Sequence, residues 1–180
     1  MHRHSLLSLL KNYFPQTPEE ITYKNRMISF IEANPLCFER SLEQGHITGS
    51  AWLLSNDDSQ ALLMHHNKLN LWVQLGGHCD GESDVLQVAV KEAQEESGIS
   101  AIVPVINEIF DIDIHCIPAN SREKEHYHYD VRFLLRVASN EKFVQNSESK
   151  ELRWISKDVS CLPTQSLSVV RMFNKWKQGF

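Results

Sequence analysis

The sequence predicts an α/β (α+β) fold, a sheet layered with helices, and three observations carry that reading. Segments with apolar residues at helical spacing are interleaved with strand-like runs. The chain has 180 residues, the size of one domain with a substantial core. Its 42% hydrophobic and 23% charged residues suit a soluble globular protein rather than a disordered or fibrous one.

Taken in order, residues 2–14 carry Leu6, Leu7, Leu9, Leu10 and Phe14 on a short amphipathic helix that Pro15 stops. Thr17-Pro18-Glu19-Glu20 is a helix start, with a capping threonine, proline at the first position and glutamate at the third. Ile21, Met27, Ile28 and Ile31 give that helix an apolar side, and Asn34-Pro35 ends it. Residues 1–44 therefore read as a helical extension packed on the main domain, with a dimer arm or a substrate lid as the alternative. His46 to Ser55 reads as a strand, Asn56-Asp57-Asp58 as a turn, and Gln60 to His66 as a second strand. Leu71 to Leu75 leads to a glycine pair. Beyond it, Leu86, Ala89, Val90 and Ala93 mark a helix from about Val85 to Ser97, with Ser83 or Asp84 as cap and Gly98 as its left-handed stop. Ile102 to Cys116 is long and β-like, Pro118 to Glu125 a polar loop, His126 to Val137 a strand, and Leu152 to Ile155 a short strand. Pro163 precedes a last helix carrying Leu167, Val170, Met172, Phe173 and Trp176.

Net charge is −5, so nothing electrostatic favours nucleic acid or an anionic membrane as partner. No run approaches 18 apolar residues, which excludes a spanning helix, and the broken apolar run near the start lacks a cleavage signature. Cys37, Cys79, Cys116 and Cys161 are scattered without a Cys-x-x-Cys pair, the pattern of reduced thiols in a cytoplasmic protein rather than of a zinc knuckle.

The chemistry concentrates in Gly76 to Ile99. Glu92, Glu95 and Glu96 stand at i, i+3 and i+4 and share one arc of the helix. Like charges at that spacing repel, and the C-terminal end of the macrodipole makes anions less favourable still. A hard divalent cation relieves both costs. The alternative is a solvated acidic patch.

The same stretch resembles the Nudix box, G-x5-E-x7-R-E-U-x-E-E-x-G-U, where U is bulky and aliphatic. Gly77, Glu92, Glu95, Glu96, Gly98 and Ile99 fit. Ser83 stands at the first glutamate beside Glu82, Lys91 at the arginine, and Ala93 is small for U. Upstream, Trp72 to Gly77 looks like the family's Trp-x-x-Pro-Gly-Gly approach with Leu75 in the proline's place. The resemblance covers about Gly45 to Ser160 and sharpens the fold to a mixed curved β-sheet sandwiched between helices, with the domain running from 45 to 180. It implies Glu92, Glu95 and Glu96 as ligands of Mg²⁺ or Mn²⁺, and water attack on a nucleoside diphosphate linked to another moiety. Lys91 would orient a box glutamate. Glu92, Glu148 and Glu151 are candidates for the base, and Gly76 and Gly77 for close backbone approach to metal or phosphate.

Histidines form a second pattern. Asp111, Asp113 and His115 alternate along one strand, and His126, His128 and Asp130 along the next, so a hairpin would join two polar faces. His78 and Arg132 extend that surface, and His65 and His66 are further candidates. Such a surface suits a metal or a phosphate, and it is expected to lie over the box glutamates. The alternative is a hydrated sheet face. Two rival functions stay open: a non-catalytic Nudix-like ligand binder, favoured by Ser83 and Lys91, and an enzyme like isopentenyl-diphosphate isomerase, favoured by Cys79 and the histidines. A homodimer is also left open.

Overall fold

The computed structural model describes residues 2–119 and 124–179. Positions 120–123 of the expected polar loop lie outside the described residues.

Two helices come first, α1 (His4–Asn12) and α2 (Pro18–Ala33). Thr17 caps α2 as its sequence predicts, accepting a hydrogen bond from the Glu20 N–H at 3.2 Å. The buried face of α2 is Met27, Phe30 and Ile31, whereas Ile21 is half exposed, so the apolar stripe starts a turn later than expected. With Leu6 and Leu10 of α1, these residues join the main core, so the extension is packed.

β1 (Gly45–Leu54) is the axis of the sheet. It runs parallel to β7 (His126–Val137) from Gly45↔Tyr127 to Leu54↔Arg136. Its other edge pairs antiparallel with β4 (Leu75–His78) and then with β2 (Gln60–His66). β3 (Trp72–Val73) and β8 (Ser149–Ser156) pair with β2, the latter longer than the segment its apolar residues mark. β5 (Ile102–Pro104) and β6 (Asp111–Ile117) line the far edge of β7. The single strand expected over 102–116 is thus two. Pro104 brings no N–H to the ladder. The Val105 N–H reaches Leu134 O and the Phe110 N–H reaches Arg132 O, so a longer stretch spans a shorter one and 106–109 loops out.

Helices cover both faces of this eight-stranded mixed sheet, as far as the described residues go. α3 (Val85–Ser97) lies on one face, capped by Asp84 and stopped by Gly98 at φ 71. Its Val85, Val88, Ala89 and Ala93 pack with Ile47, Ala51 and Leu53. Gly49 permits the approach, since a Cβ there would sit 2.8 Å from the Val85 carbonyl. α4 (Leu167–Gln178) lies on the other face, where Val169, Met172, Phe173 and Trp176 meet Trp52, Leu54, Leu63 and Leu134. Full burial of side chains of this size contributes about 1.5–3 kcal/mol each. Alternation along β1 places His46, Thr48 and Ser50 on the side of Trp52. That face is therefore apolar under α4 and polar toward the start of β1.

Candidate active site

Two adjacent residues of β4 organise the site. The Gly76 N–H donates to Glu96 Oε2 at 2.8 Å, which fixes that carboxylate under the glycine pair. A Cβ on Gly77 would lie 2.4 Å from a Glu92 carboxylate oxygen, so only glycine leaves that oxygen its place. α3 supplies both acids from one face, and its core residues set their height against β4.

Electrostatics distinguish the three glutamates. Glu96 is only 4% exposed. Burial pushes its pKa up to about 8, against the Gly76 hydrogen bond, with Glu92, Glu148 and Glu95 adding to the rise. Glu92 is half buried and also raised, first by burial and then by Glu95. Glu95 is exposed and faces Lys91 at 3.7 Å, an i,i+4 pair in solvent. Lys91 thus pairs with Glu95, and its charge also opposes the rise at Glu92. Glu92 and Glu96 thus present partly desolvated oxygen donors, a chemistry that fits a hard divalent cation such as Mg²⁺ or Mn²⁺, whereas the third expected ligand, Glu95, stands in solvent and is not gathered with them.

Of the later acids, Glu148 is the one whose charge is felt at both Glu92 and Glu96. Glu151, the other base candidate, sits opposite His65 on β8 and bonds the Arg153 Nε at 2.8 Å. His65 stacks on Trp72, and His66 Nδ1 accepts from the N–H groups of Lys68 and Leu69, with Glu148 close enough for its charge to act on His66.

The histidine hairpin forms in the expected register: Asp113↔Asp130, His115↔His128, Asp111↔Arg132. Its position differs from the expectation. His78 pairs with Thr48 and shares the side of β1 that carries His46, whereas Gly77 turns toward Glu92. The hairpin face and the glutamates thus lie on opposite sides of β4. Arg132, expected to extend that surface, is 1% exposed and walled by carboxylates: Nε to Asp130 at 2.7 Å, Nη1 to Asp111 at 2.9 Å, Nη2 to Asp113 at 3.3 Å. Asp130, expected to touch substrate, also accepts from Thr48, Ser50 and Gln74 and is 1% exposed. Both belong to the buried framework and present nothing to a ligand.

The remaining members gather into a cluster. His46, His78, His126, His128 and His115 are linked by ring-centroid distances of 4.8–5.3 Å. Burial, then the neighbouring imidazoles, holds the His128 pKa down at about 2. His46 was not among the expected site residues. Its signal was present in the alternation of His46, Thr48 and Ser50 against Ile47, Gly49 and Ala51.

A family model described as NUDIX domain matches residues 46–168. No curated protein sequence matches this one. Among solved structures, a MutT NUDIX hydrolase from Burkholderia pseudomallei is 20% identical with TM-score 0.56, covering 77% of this chain and 100% of that one. A NUDIX-family hydrolase from Clostridium perfringens is 23% identical with TM-score 0.52, covering 74% and 97%. An Ap4A hydrolase from C. elegans, in a binary complex, is 15% identical with TM-score 0.50, covering 74% and 98%. At these identities the likeness concerns the fold.

Proposed function

The chain belongs to the Nudix family, and from that premise we propose that it is a metal-dependent pyrophosphohydrolase cleaving a nucleoside diphosphate linked to another moiety. The observation that carries the reading is the pairing of Glu96 with the Gly76 N–H and of Glu92 with the space left by Gly77.

In this reading Glu96, held by the Gly76 N–H, and Glu92, in the space beside Gly77, supply oxygens to the ion, while Glu95 stands in solvent against Lys91 and has to turn inward to add a third. Bound Mg²⁺ or Mn²⁺ supplies phosphoryl charge neutralisation and a lowered water pKa. The Gly76-Gly77 backbone admits the diphosphate close to these acids. Glu148 takes the proton of the attacking water in this reading, because its charge acts at both buried glutamates while Glu151 is held by Arg153. Products are a nucleoside monophosphate and a phosphorylated remainder. Ser83 and Lys91, which depart from the box, lie outside the Glu92–Glu96 pair, which disfavours a purely binding role. Isomerase-like chemistry through Cys79 is disfavoured too, since that thiol is 4% exposed and burial pushes its pKa well up.

No helix among the described residues is long and apolar enough to cross a membrane. Cys37, Cys79, Cys116 and Cys161 are free thiols, which fits the reducing cytoplasm.

The test is phosphate release, after phosphatase coupling, over nucleotide sugars, dinucleoside polyphosphates, ADP-ribose, CoA and nucleoside triphosphates with Mg²⁺ or Mn²⁺. EDTA should abolish turnover of whichever is cleaved, and Glu96→Gln should lower kcat about 10²-fold or more. Glu148→Gln should lower kcat about 10²-fold or more and Glu151→Gln should leave it unchanged. Turnover unchanged in a folded Glu96→Gln protein would overturn the site assignment.

A further inference from the structure

We infer that His46, His78 and His128 bind an imidazole-preferring divalent transition metal, of which Zn²⁺ is the type, on the face of β4 opposite the glutamates. The three come from three strands, β1, β4 and β7, and pairing fixes their meeting. His46 stands beside His128 in the parallel β1–β7 ladder, and His78 stands beside Thr48 on the other edge of β1. One ligand nitrogen from each lies within 4.8 Å of the others. Around a tetrahedral metal with Zn–N of about 2.0–2.1 Å the nitrogens stand about 3.4 Å apart.

Two further observations point to a cation. The Nε2 of His128 is buried without a hydrogen-bond partner, a state that buried polar atoms rarely keep and that a metal bond resolves. His126 and His115 border the trio, their Nδ1 atoms engaged with the Lys124 carbonyl at 2.8 Å and Asp113 Oδ2 at 3.3 Å. Finally, the nearby carboxylates are already spent. Asp80, which feels the charge of His78 and His46, is paired through both oxygens with Arg40; Asp113 and Asp130 are tied to Arg132, and Asp113 also to Arg171 at 3.0 Å. The donor set is therefore nitrogen, which selects Zn²⁺, Co²⁺, Ni²⁺ or Cu²⁺ over Mg²⁺ and Ca²⁺. Three protein nitrogens leave a fourth position, and the side chain of His115, 41% exposed, marks the side from which water or a phosphoryl oxygen can reach it.

This site is independent of the hydrolase reading, and the experiment separates them. The full-length protein is stripped with EDTA, then titrated calorimetrically with Zn²⁺, and with Co²⁺ for its visible d–d absorption. Wild type and Glu92→Gln/Glu96→Gln should each take up one Zn²⁺ with the same affinity and develop the same low-symmetry Co²⁺ spectrum, and Zn²⁺ should raise the melting temperature of both. His46→Gln, His78→Gln and His128→Gln should each weaken Zn²⁺ at least about tenfold and change the spectrum. If a buried variant fails to fold, His78→Gln, altered at a half-exposed position, still decides. Zn²⁺ affinity unchanged in His78→Gln, or lost in the glutamate variant and kept in the histidine variants, would overturn the proposal, as would no Zn²⁺ binding by wild type.

Discussion

The Glu92 carboxylate occupies the space a side chain at Gly77 would need and would have to move to admit one, which sets the sharpest substitution at the residue scale. Gly77→Ala should displace Glu92 while leaving the sheet pairing intact, since Gly77 has no left-handed backbone requirement. A misplaced ligand of this kind costs about 10²-fold in kcat/KM. Steady-state kinetics with Mg²⁺, beside an unchanged circular dichroism spectrum, checks it, and full activity would remove Glu92 from the site. Glu96 yields a pH prediction for metal-free protein. Its folded pKa of about 8 lies above the ordinary carboxyl value of 4.5, so the unfolded chain ionises first as pH rises. Its contribution to stability is therefore full below about pH 4.5 and is lost as pH climbs through 8. Urea unfolding in EDTA should show wild type losing stability across that window and Glu96→Gln losing distinctly less. An equal slope in both proteins would show that Glu96 is not the group titrating.

At the scale of elements, α3 makes the clearest case because its punctuation is local. Asp84 accepts from the Gln87 N–H at 3.2 Å, and Gly98 adopts the left-handed turn that ends the helix. Asp84→Ala should therefore cost about 1 kcal/mol in chemical denaturation, and Ser83→Ala, one position outside, less than about 0.5 kcal/mol. A reversed order would make Ser83 the cap. The same locality explains what could be read in advance. The bounds of α3, β2 and β7 follow from apolar period, caps and turn residues, all within a few positions of one another. The split of 102–116 could not be read that way, because it depends on where Val105 and Phe110 meet β7. Nor could the true buried stripe of α2, which its contacts with the sheet select by burying Phe30 and exposing Ile21. At the candidate site, the glutamates were legible because one helix carries them. The histidine cluster was legible only where a hairpin does, and His46 joins it through a parallel pairing with β7 far along the chain.

The whole molecule is tied together by charges that no sequence window contains. Lys175 of α4 reaches Glu20 of α2 at 2.9 Å, the Tyr13 hydroxyl at 2.8 Å and Asp111 of β6 at 2.7 Å. Arg171 adds Asp111 at 2.9 Å and Asp113 at 3.0 Å, and Arg132 joins the same aspartates from β7. The network thus clasps the first helices, the last helix and the edge of the sheet around one buried polar centre. Burial alone would raise the carboxyls of Glu20, Asp111 and Asp113, but the partners outweigh it and hold all three below their ordinary values. Depressed carboxyls contribute stability that is present above about pH 4 and is lost as pH falls through their folded values. Removing one member of a buried ion pair leaves its partner uncompensated, at about 3–5 kcal/mol, whereas replacing both sides costs far less than the sum. Lys175→Met should therefore destabilise by about that amount, with Glu20 stranded 0% exposed beside Tyr13. Glu20→Gln/Lys175→Met should recover part of the loss, with a coupling of about 0.5–3 kcal/mol. Denaturant melts of the two single variants, the double variant and wild type at pH 7 measure it. Additive effects with Lys175→Met costing under about 1 kcal/mol would show that the apolar contacts of Phe173 and Trp176 hold α4 without the clasp.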